Sequence, residues 1–186
     1  MNIDILKQLI TDALDGIVPE LLDIVNDIRN YSPYYNLMYL LSKSYAPCIC
    51  VELGVETGRG SFALACGGPT NAVVGIDNQS CKEAMELGKI LHNFTYVIQS
   101  STPPPSFLLS KKISILHIDT NHTYARVEQE WDAYKPLLAE GAVVLFDDTH
   151  AENDGVMRYI KQLPYPTIFD DRLHPNCGYA VMLYDH

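Results

Sequence analysis

Acidic residues recur where short apolar runs end: Glu52, Asp77, Asp119 and the pair Asp147-Asp148. Such runs read as strands, and strand ends are where open α/β sheets hold ligands. A glycine segment follows the first acid, Gly54-Val55-Glu56-Thr57-Gly58-Arg59-Gly60. Gly54 would allow a sharp turn, and Gly58 and Gly60 would let the backbone approach a ligand closely. The spacing is G-x-x-x-G-x-G, not the G-x-G-x-x-G of dinucleotide sites. Glu52 and Glu56 are wrong for cradling a pyrophosphate and suit a cationic group, such as a sulfonium or an α-ammonium. Asp77, some twenty residues on, can accept bonds from ribose hydroxyls.

A second centre is expected downstream. Asp119, Asp147 and Asp148 would meet at neighbouring strand ends and repel unless a cation or protons intervene. An all-oxygen set favours Mg²⁺, Mn²⁺ or Ca²⁺ over zinc. The bland alternative is that Asp147 and Asp148 only cap the next turn. His122 lies three residues beyond Asp119, and its ordinary pKa suits removal of a hydroxyl proton near neutral pH. His117, between apolar residues, reads as a core histidine. His150 follows the acid pair as a weaker candidate.

These positions need a scaffold. Candidate strands are Cys48–Leu53, Ala72–Asp77, Thr95–Ile98, Ile113–Asp119 and Ala142–Phe146. Helical patterns fall near 60–66, 80–91, 104–110 and 123–138. The alternation predicts right-handed crossovers and a mostly parallel sheet. A helix at 154–162 and two strands near 165–169 and 178–184 follow. The short polar loop from Asp170 to Asn176 makes those strands an antiparallel hairpin. Before Pro47 the period is helical: Ile3 to Ile17, then Leu21 to Ile28 with Pro19 as its start, then a helix through Met38 and Leu41. The expectation is an α/β, Rossmann-like, three-layer domain over 46–186 with a helical cap over 1–45. The cap could bury against a second copy. Tyr31, Tyr34, Tyr35 and Tyr39 would pack a helix or line an acceptor cleft.

The bulk properties narrow the partners. The chain has 186 residues and a formal net charge of −10, so phosphate backbones and anionic lipid are poor partners. No basic signal-like start and no apolar run of about 20 residues is evident, so a cytoplasmic protein is expected. Five cysteines without framework spacing read as reduced thiols. Cys48 and Cys50 are expected on opposite strand faces, a poor pair for metal or redox work.

Together the segments resemble a known family. Glu52-Leu53-Gly54-Val55-Glu56-Thr57-Gly58-Arg59-Gly60-Ser61 resembles motif I of class I methyltransferases, closest to the catechol O-methyltransferase-like and macrocin- and cephalosporin-type branches. Val73 to Asp77 is similar to their second motif. Ile115 to Tyr124 is similar to their I-D-G-D-H-x-Y segment, and Leu137 to Asp148 to their L-L-x-x-G-G-x-x-x-x-D-D. The resemblance implies a seven-stranded fold and S-adenosyl-L-methionine as cofactor. It implies Glu52, Gly54 and Glu56 at the methionine end, with Gly58 in the same loop. It implies Asp77 and Asn78 at the ribose, and Ser100 and Ser101 near the adenine. It places Asp119 beside the cofactor and makes Asp119, Asp147 and Asp148 ligands for Mg²⁺. His122 matches the catalytic lysine position of the catechol-type enzymes, so His122 and Asp119 carry the expected catalysis. The implied reaction is metal-assisted O-methylation of a small-molecule hydroxyl. Two departures stand out: Thr120-Asn121 replaces the usual G-D, and Gly141-Ala142 replaces G-G. A cofactor sensor or a cofactor-cleaving lyase or hydrolase would share the fold. A nucleotide-binding Rossmann enzyme is opposed by Glu52 and the glycine spacing.

Overall fold

The computed structural model describes residues 1–22 and 31–185. The expected second amphipathic helix, Leu21 to Ile28, lies largely outside the described residues. Helix α1 (Ile3–Asp15) starts at Asn2, whose side chain accepts from the amides of Asp4 and Ile5, satisfying two otherwise orphaned donors. A 3₁₀ turn, Pro19–Leu21, and α2 (Tyr34–Tyr45) follow. Asn36 of α2 ties the two helices together. Its amide donates to the carbonyls of Ala13 (2.9 Å) and Gly16 (2.5 Å), and its oxygen accepts from the Val18 amide (3.3 Å).

The alternating region then runs β1 (Ile49–Leu53), α3 (Arg59–Gly67), β2 (Ala72–Asp77), α4 (Lys82–Ile90), β3 (Phe94–Ile98), β4 (Ile113–Ile118), α5 (Tyr124–Tyr134), β5 (Leu138–Asp147), α6 (Ala151–Ile160), β6 (Thr167–Phe169) and β7 (Tyr179–Tyr184). The sheet order is β3-β2-β1-β4-β5-β7-β6. The first five strands run parallel, and β7 pairs antiparallel with both β5 and β6. This is the seven-stranded, mostly parallel sheet with an antiparallel C-terminal hairpin that the periodicity predicts.

Side-chain alternation divides the core into two faces. Cys50, Val143, Leu145, Val181 and Leu183 meet α1, α2 and α3 on one side. Val51, Leu53, Val144, Phe146 and Met182 meet Trp131 and Tyr134 of α5 and Val156 and Ile160 of α6 on the other. Each such buried aliphatic or aromatic side chain is worth about 1.5–3 kcal/mol of transfer free energy, so the domain needs no covalent staple. The described cysteines are all free.

Three expectations are corrected. Residues 104–110 form only the 3₁₀ turn Ser106–Leu108, because Pro103, Pro104 and Pro105 bring no amide donors. The helix predicted to 138 stops at Tyr134, where Pro136 shapes a 3₁₀ turn and β5 begins early, at Leu138. Cys48 and Cys50 are not on opposite faces: their sulfurs lie 3.6 Å apart, since residues two apart on an extended chain share a side. Among the described residues, no helix is long and apolar enough to cross a membrane.

Candidate active site

The strand order reverses direction between β1 and β4, which opens a crevice at their carboxyl ends. There a cleft of about 970 Å³ is lined by Gly54, Glu56, Asp77, Asn78, Ser100, Ser101, Asp119, His122, Asp147 and Asp148, along with Tyr34, Tyr35, Arg59, Arg126 and His174. Most of the predicted site residues therefore share one cavity. Glu52 and Gly58 do not line it.

The glycine loop is fixed from two sides. The Gly54 amide donates to the Ile76 carbonyl (2.9 Å), and Leu53 accepts from the Asp119 amide (2.8 Å). Gly54 has φ +83°, and a Cβ there would collide with the Asp119 carbonyl, so the turn and the β1–β4 approach both require glycine. Asp77 Oδ2 accepts from the amides of Val55 (2.9 Å) and Glu56 (3.0 Å), while Oδ1 accepts from the Gln79 amide (2.9 Å). The carboxylate expected at a ribose thus also braces the loop. Gly58, with φ +90°, begins α3.

Behind the loop, Glu52 is fully buried. It accepts from the Ser61 hydroxyl and lies 3.1 Å from His117 Nδ1. Burial opposes charge on His117, but the hydrogen bond and charge of Glu52, helped by Asp119 and Asp147, outweigh it and raise the imidazole's pKa. Nε2 of His117 is buried with no hydrogen-bond partner. Glu52, expected at the methionine end, is a brace beneath the loop.

On the β3–β4 side, the Ser101 hydroxyl donates to Glu130 (2.5 Å), and Arg126 donates to Ser101 and Thr102. Arg126 also meets Glu130 at 2.9 Å. Thr120, which replaces a glycine of the resembling motif, donates its hydroxyl to Glu130 (2.8 Å). Asn121 accepts from the Thr123 amide (3.2 Å) in the turn that leads into α5.

The acidic end is an acid–histidine cluster. His122 stands between two carboxylates, with Nε2 3.2 Å from Asp119 and Nδ1 3.1 Å from Asp148. His174, in the β6–β7 loop, places Nδ1 2.5 Å from Asp147. Burial disfavours charge on both imidazoles, yet the facing carboxylates raise both pKa values. Burial pushes the Asp119 carboxyl up most; the His122 hydrogen bond pulls it down, Asp147 pushes it up again, and it settles at about 6.

Two imidazoles thus offset part of the charge of three aspartates. Among the described residues, the side-chain groups whose donor atoms lie within 4.8 Å of one another are Asp119–His122–Asp148, His117–Asp119–Asp147 and Asp148–His174–Cys177. The three aspartates alone do not form such a group. The donors fit a divalent cation, but each set contains an imidazole and none is all-oxygen.

His174 was invisible to sequence reasoning because it reaches Asp147 only when the hairpin loop folds back over the end of β5. Tyr34 and Tyr35 line the cleft while buried, and Tyr34 stacks on Tyr179 at 4.8 Å. Tyr39 packs away from it and donates to Glu20 (2.9 Å). His150 pairs with Asp171 (3.0 Å) and does not line the cleft.

A family model described as a methyltransferase domain matches residues 51–149, more than half of the chain. No curated protein matches the chain in sequence. Several solved structures share the fold. One is the O-methyltransferase TomG of Streptomyces achromogenes, involved in tomaymycin synthesis and solved with SAM (TM-score 0.68, 17% identity, 92% of each chain). Another is a Staphylococcus aureus protein assigned as a caffeoyl-CoA O-methyltransferase (TM-score 0.70, 17% identity, 96% of this chain and 98% of that one). A third is a methyltransferase from Geobacter sulfurreducens (TM-score 0.67, 18% identity, 95% and 96%). The matched stretch runs from β1 to the loop after β5 and so contains both the glycine turn and His122 with its aspartates: the chain belongs to this methyltransferase-domain family.

Proposed function

We infer that the protein transfers a methyl group from S-adenosylmethionine to a hydroxyl oxygen of a small molecule, assisted by a divalent cation at the acidic end of the cleft. The observation that carries this reading is a single cleft with a carboxylate-braced glycine loop at one end and an imidazole between two carboxylates at the other. A cavity of about 970 Å³ accommodates a nucleoside-sized cosubstrate and a small acceptor together.

When bound, the cosubstrate supplies an electrophilic methyl group on a sulfonium. Asp77 Oδ1, which accepts one amide hydrogen bond, retains a lone pair for a ribose hydroxyl, whereas Oδ2 already accepts two. Glu56 adds negative charge beside a cationic methionine portion. Asn78, Ser100 and Ser101 line the wall expected at the ribose and adenine. The net charge of −10 argues for a small acceptor over a nucleic acid.

As the oxygen–methyl bond forms and the sulfur–methyl bond breaks, the hydroxyl proton must leave. Both His122 nitrogens face carboxylates, so the acceptor hydroxyl must displace one of them to reach the ring nitrogen that takes its proton. The second carboxylate then stabilises the imidazolium, so Asp119 and Asp148 position and support the base. A divalent cation held at this acidic end, with Asp148 among its ligands, would acidify the acceptor hydroxyl. Tyr34 and Tyr35, from the N-terminal helices, present ring surface to the acceptor end and help exclude water.

The test is transfer of a labelled methyl group to a panel of phenols and sugars, with and without chelator. Asp119→Ala should abolish transfer. Full activity of that variant in chelator contradicts the mechanism. Breakdown of S-adenosylmethionine without an acceptor would make the protein a lyase or hydrolase instead.

A further inference from the structure

The β6–β7 loop carries a pattern that the methyl-transfer reading does not use. His174-Pro175-Asn176-Cys177-Gly178 places an imidazole and a thiol in a tight turn with two residues between them. The turn is closed by amide bonds from Cys177 (3.3 Å) and Gly178 (2.9 Å) to the His174 carbonyl. Asn176 and Gly178 both adopt left-handed conformations, with φ +73° and +78°. Ligands separated by two residues in a turn of this kind are the common chelating half of structural and catalytic zinc sites.

The turn is docked against the end of β5. The His150 amide donates to the Cys177 carbonyl (2.9 Å), and the Thr149 amide to the Gly178 carbonyl (3.3 Å). A Cβ at Gly178 would collide with Thr149 Oγ1, so only glycine permits this approach. The docking brings donor atoms of Asp148, His174 and Cys177 within 4.8 Å of one another. His174 Nδ1 lies 3.8 Å from Asp148 Oδ1, and that oxygen is buried with no hydrogen-bond partner. Ligands about 2.0–2.3 Å from a tetrahedral zinc are separated by roughly this much. Asp148 itself has φ +51°, a left-handed conformation, in a segment clamped by the turn. Asp147 also lies 2.5 Å from His174 Nδ1, so this nitrogen must exchange that contact for the cation.

We propose that Asp148, His174 and Cys177 form a three-ligand site for a zinc-class divalent cation at the acceptor end of the cleft. The mixed oxygen, nitrogen and sulfur donors select zinc or cobalt over magnesium. Three protein ligands leave a fourth position, and Asp148 and His174 line the cleft. This deepens the metal assistance of the proposed reaction, and it rests on that reading only for the use made of the metal.

The test is titration of the full-length, chelator-stripped protein with Co²⁺ and Zn²⁺, followed by optical absorption. The expected result is one bound Co²⁺ with intense tetrahedral visible bands and a thiolate-to-metal charge-transfer band. Zn²⁺ should displace it, and a large excess of Mg²⁺ should not. Cys177→Ser should remove the charge-transfer band, and Cys177→Ser and His174→Ala should each weaken Zn²⁺ at least about tenfold. Circular dichroism and binding of S-adenosylhomocysteine to the same variants separate metal loss from unfolding. A charge-transfer band that survives Cys177→Ser, Zn²⁺ binding unchanged by both variants, or Mg²⁺ competing equally overturns the proposal. Zinc binding without S-adenosylhomocysteine binding would defeat the methyl-transfer reading and leave the metal site standing.

Discussion

Replacing Glu52 by leucine should destabilise the protein severely, and replacing His117 along with it should restore much of the loss. The pair is sealed under the glycine loop, with side-chain exposures of 3% for Glu52 and 1% for His117. His117 Nε2 already lacks a partner, and loss of Glu52 leaves Nδ1 unpaired as well. Breaking a buried pair from one side costs about 3–5 kcal/mol, whereas exchanging both members for apolar groups is often close to neutral. In a domain of this size 1 kcal/mol moves Tm by about 2–4 °C, so Glu52→Leu should lower Tm by about 6–20 °C.

The pH dependence has a definite sign. The folded pKa of His117 is raised above its ordinary 6.5, so the ion-pair contribution is complete below 6.5 and fades as pH rises through the folded value. The deficit of Glu52→Leu should therefore be larger at about pH 5.5 than at about pH 8.5. Calorimetric melts and urea titrations of both single variants and the double variant provide the cycle. A single-variant cost below about 1 kcal/mol, or a double variant as unstable as the sum of the singles, would refute the reasoning.

Other predictions concern the cleft. Gly54→Ala sets a Cβ against the Asp119 carbonyl at a left-handed position, so it should cost about 1–3 kcal/mol and abolish S-adenosylhomocysteine binding in a calorimetric titration. Asp77→Ala leaves the Val55 and Glu56 amides without their acceptor and removes the ribose contact. Affinity for S-adenosylhomocysteine should fall by about 10–100-fold, at about 1.5–3 kcal/mol for a charged hydrogen bond. In metal-free protein the imidazole protons of His122 and His174 should titrate above 6.5 by NMR. Asp148→Asn should bring His122 back down by removing one of its two flanking charges. Unshifted midpoints in the parent protein would contradict the described cluster.

Strand-period reasoning reached the sheet because β1, β2, β4 and β5 are apolar runs that end in acids, and burial on both faces enforces such runs. The glycine turn was legible for the same local reason: Gly54 must be glycine, whatever binds there. What escaped depends on long-range folding. Glu52 sits at the expected position, but its direction is set by His117 and Ser61, contributed by another strand and a following helix. His174 lies 27 residues from Asp147, and no periodicity relates them. The H-x-x-C spacing ending in Cys177-Gly178 was the one available signal. The misplacement of Cys48 and Cys50 was an error of parity, not of information. The three aspartates do not converge by themselves, because imidazoles from two loops stand against them.

The most direct test of the central claim is calorimetric titration of the full-length protein with S-adenosylhomocysteine and, separately, with NAD. One molecule of S-adenosylhomocysteine should bind per chain, with binding weakened about 10–100-fold in Asp77→Ala, and NAD should give no binding signal. Tight NAD binding with no S-adenosylhomocysteine binding would contradict the account.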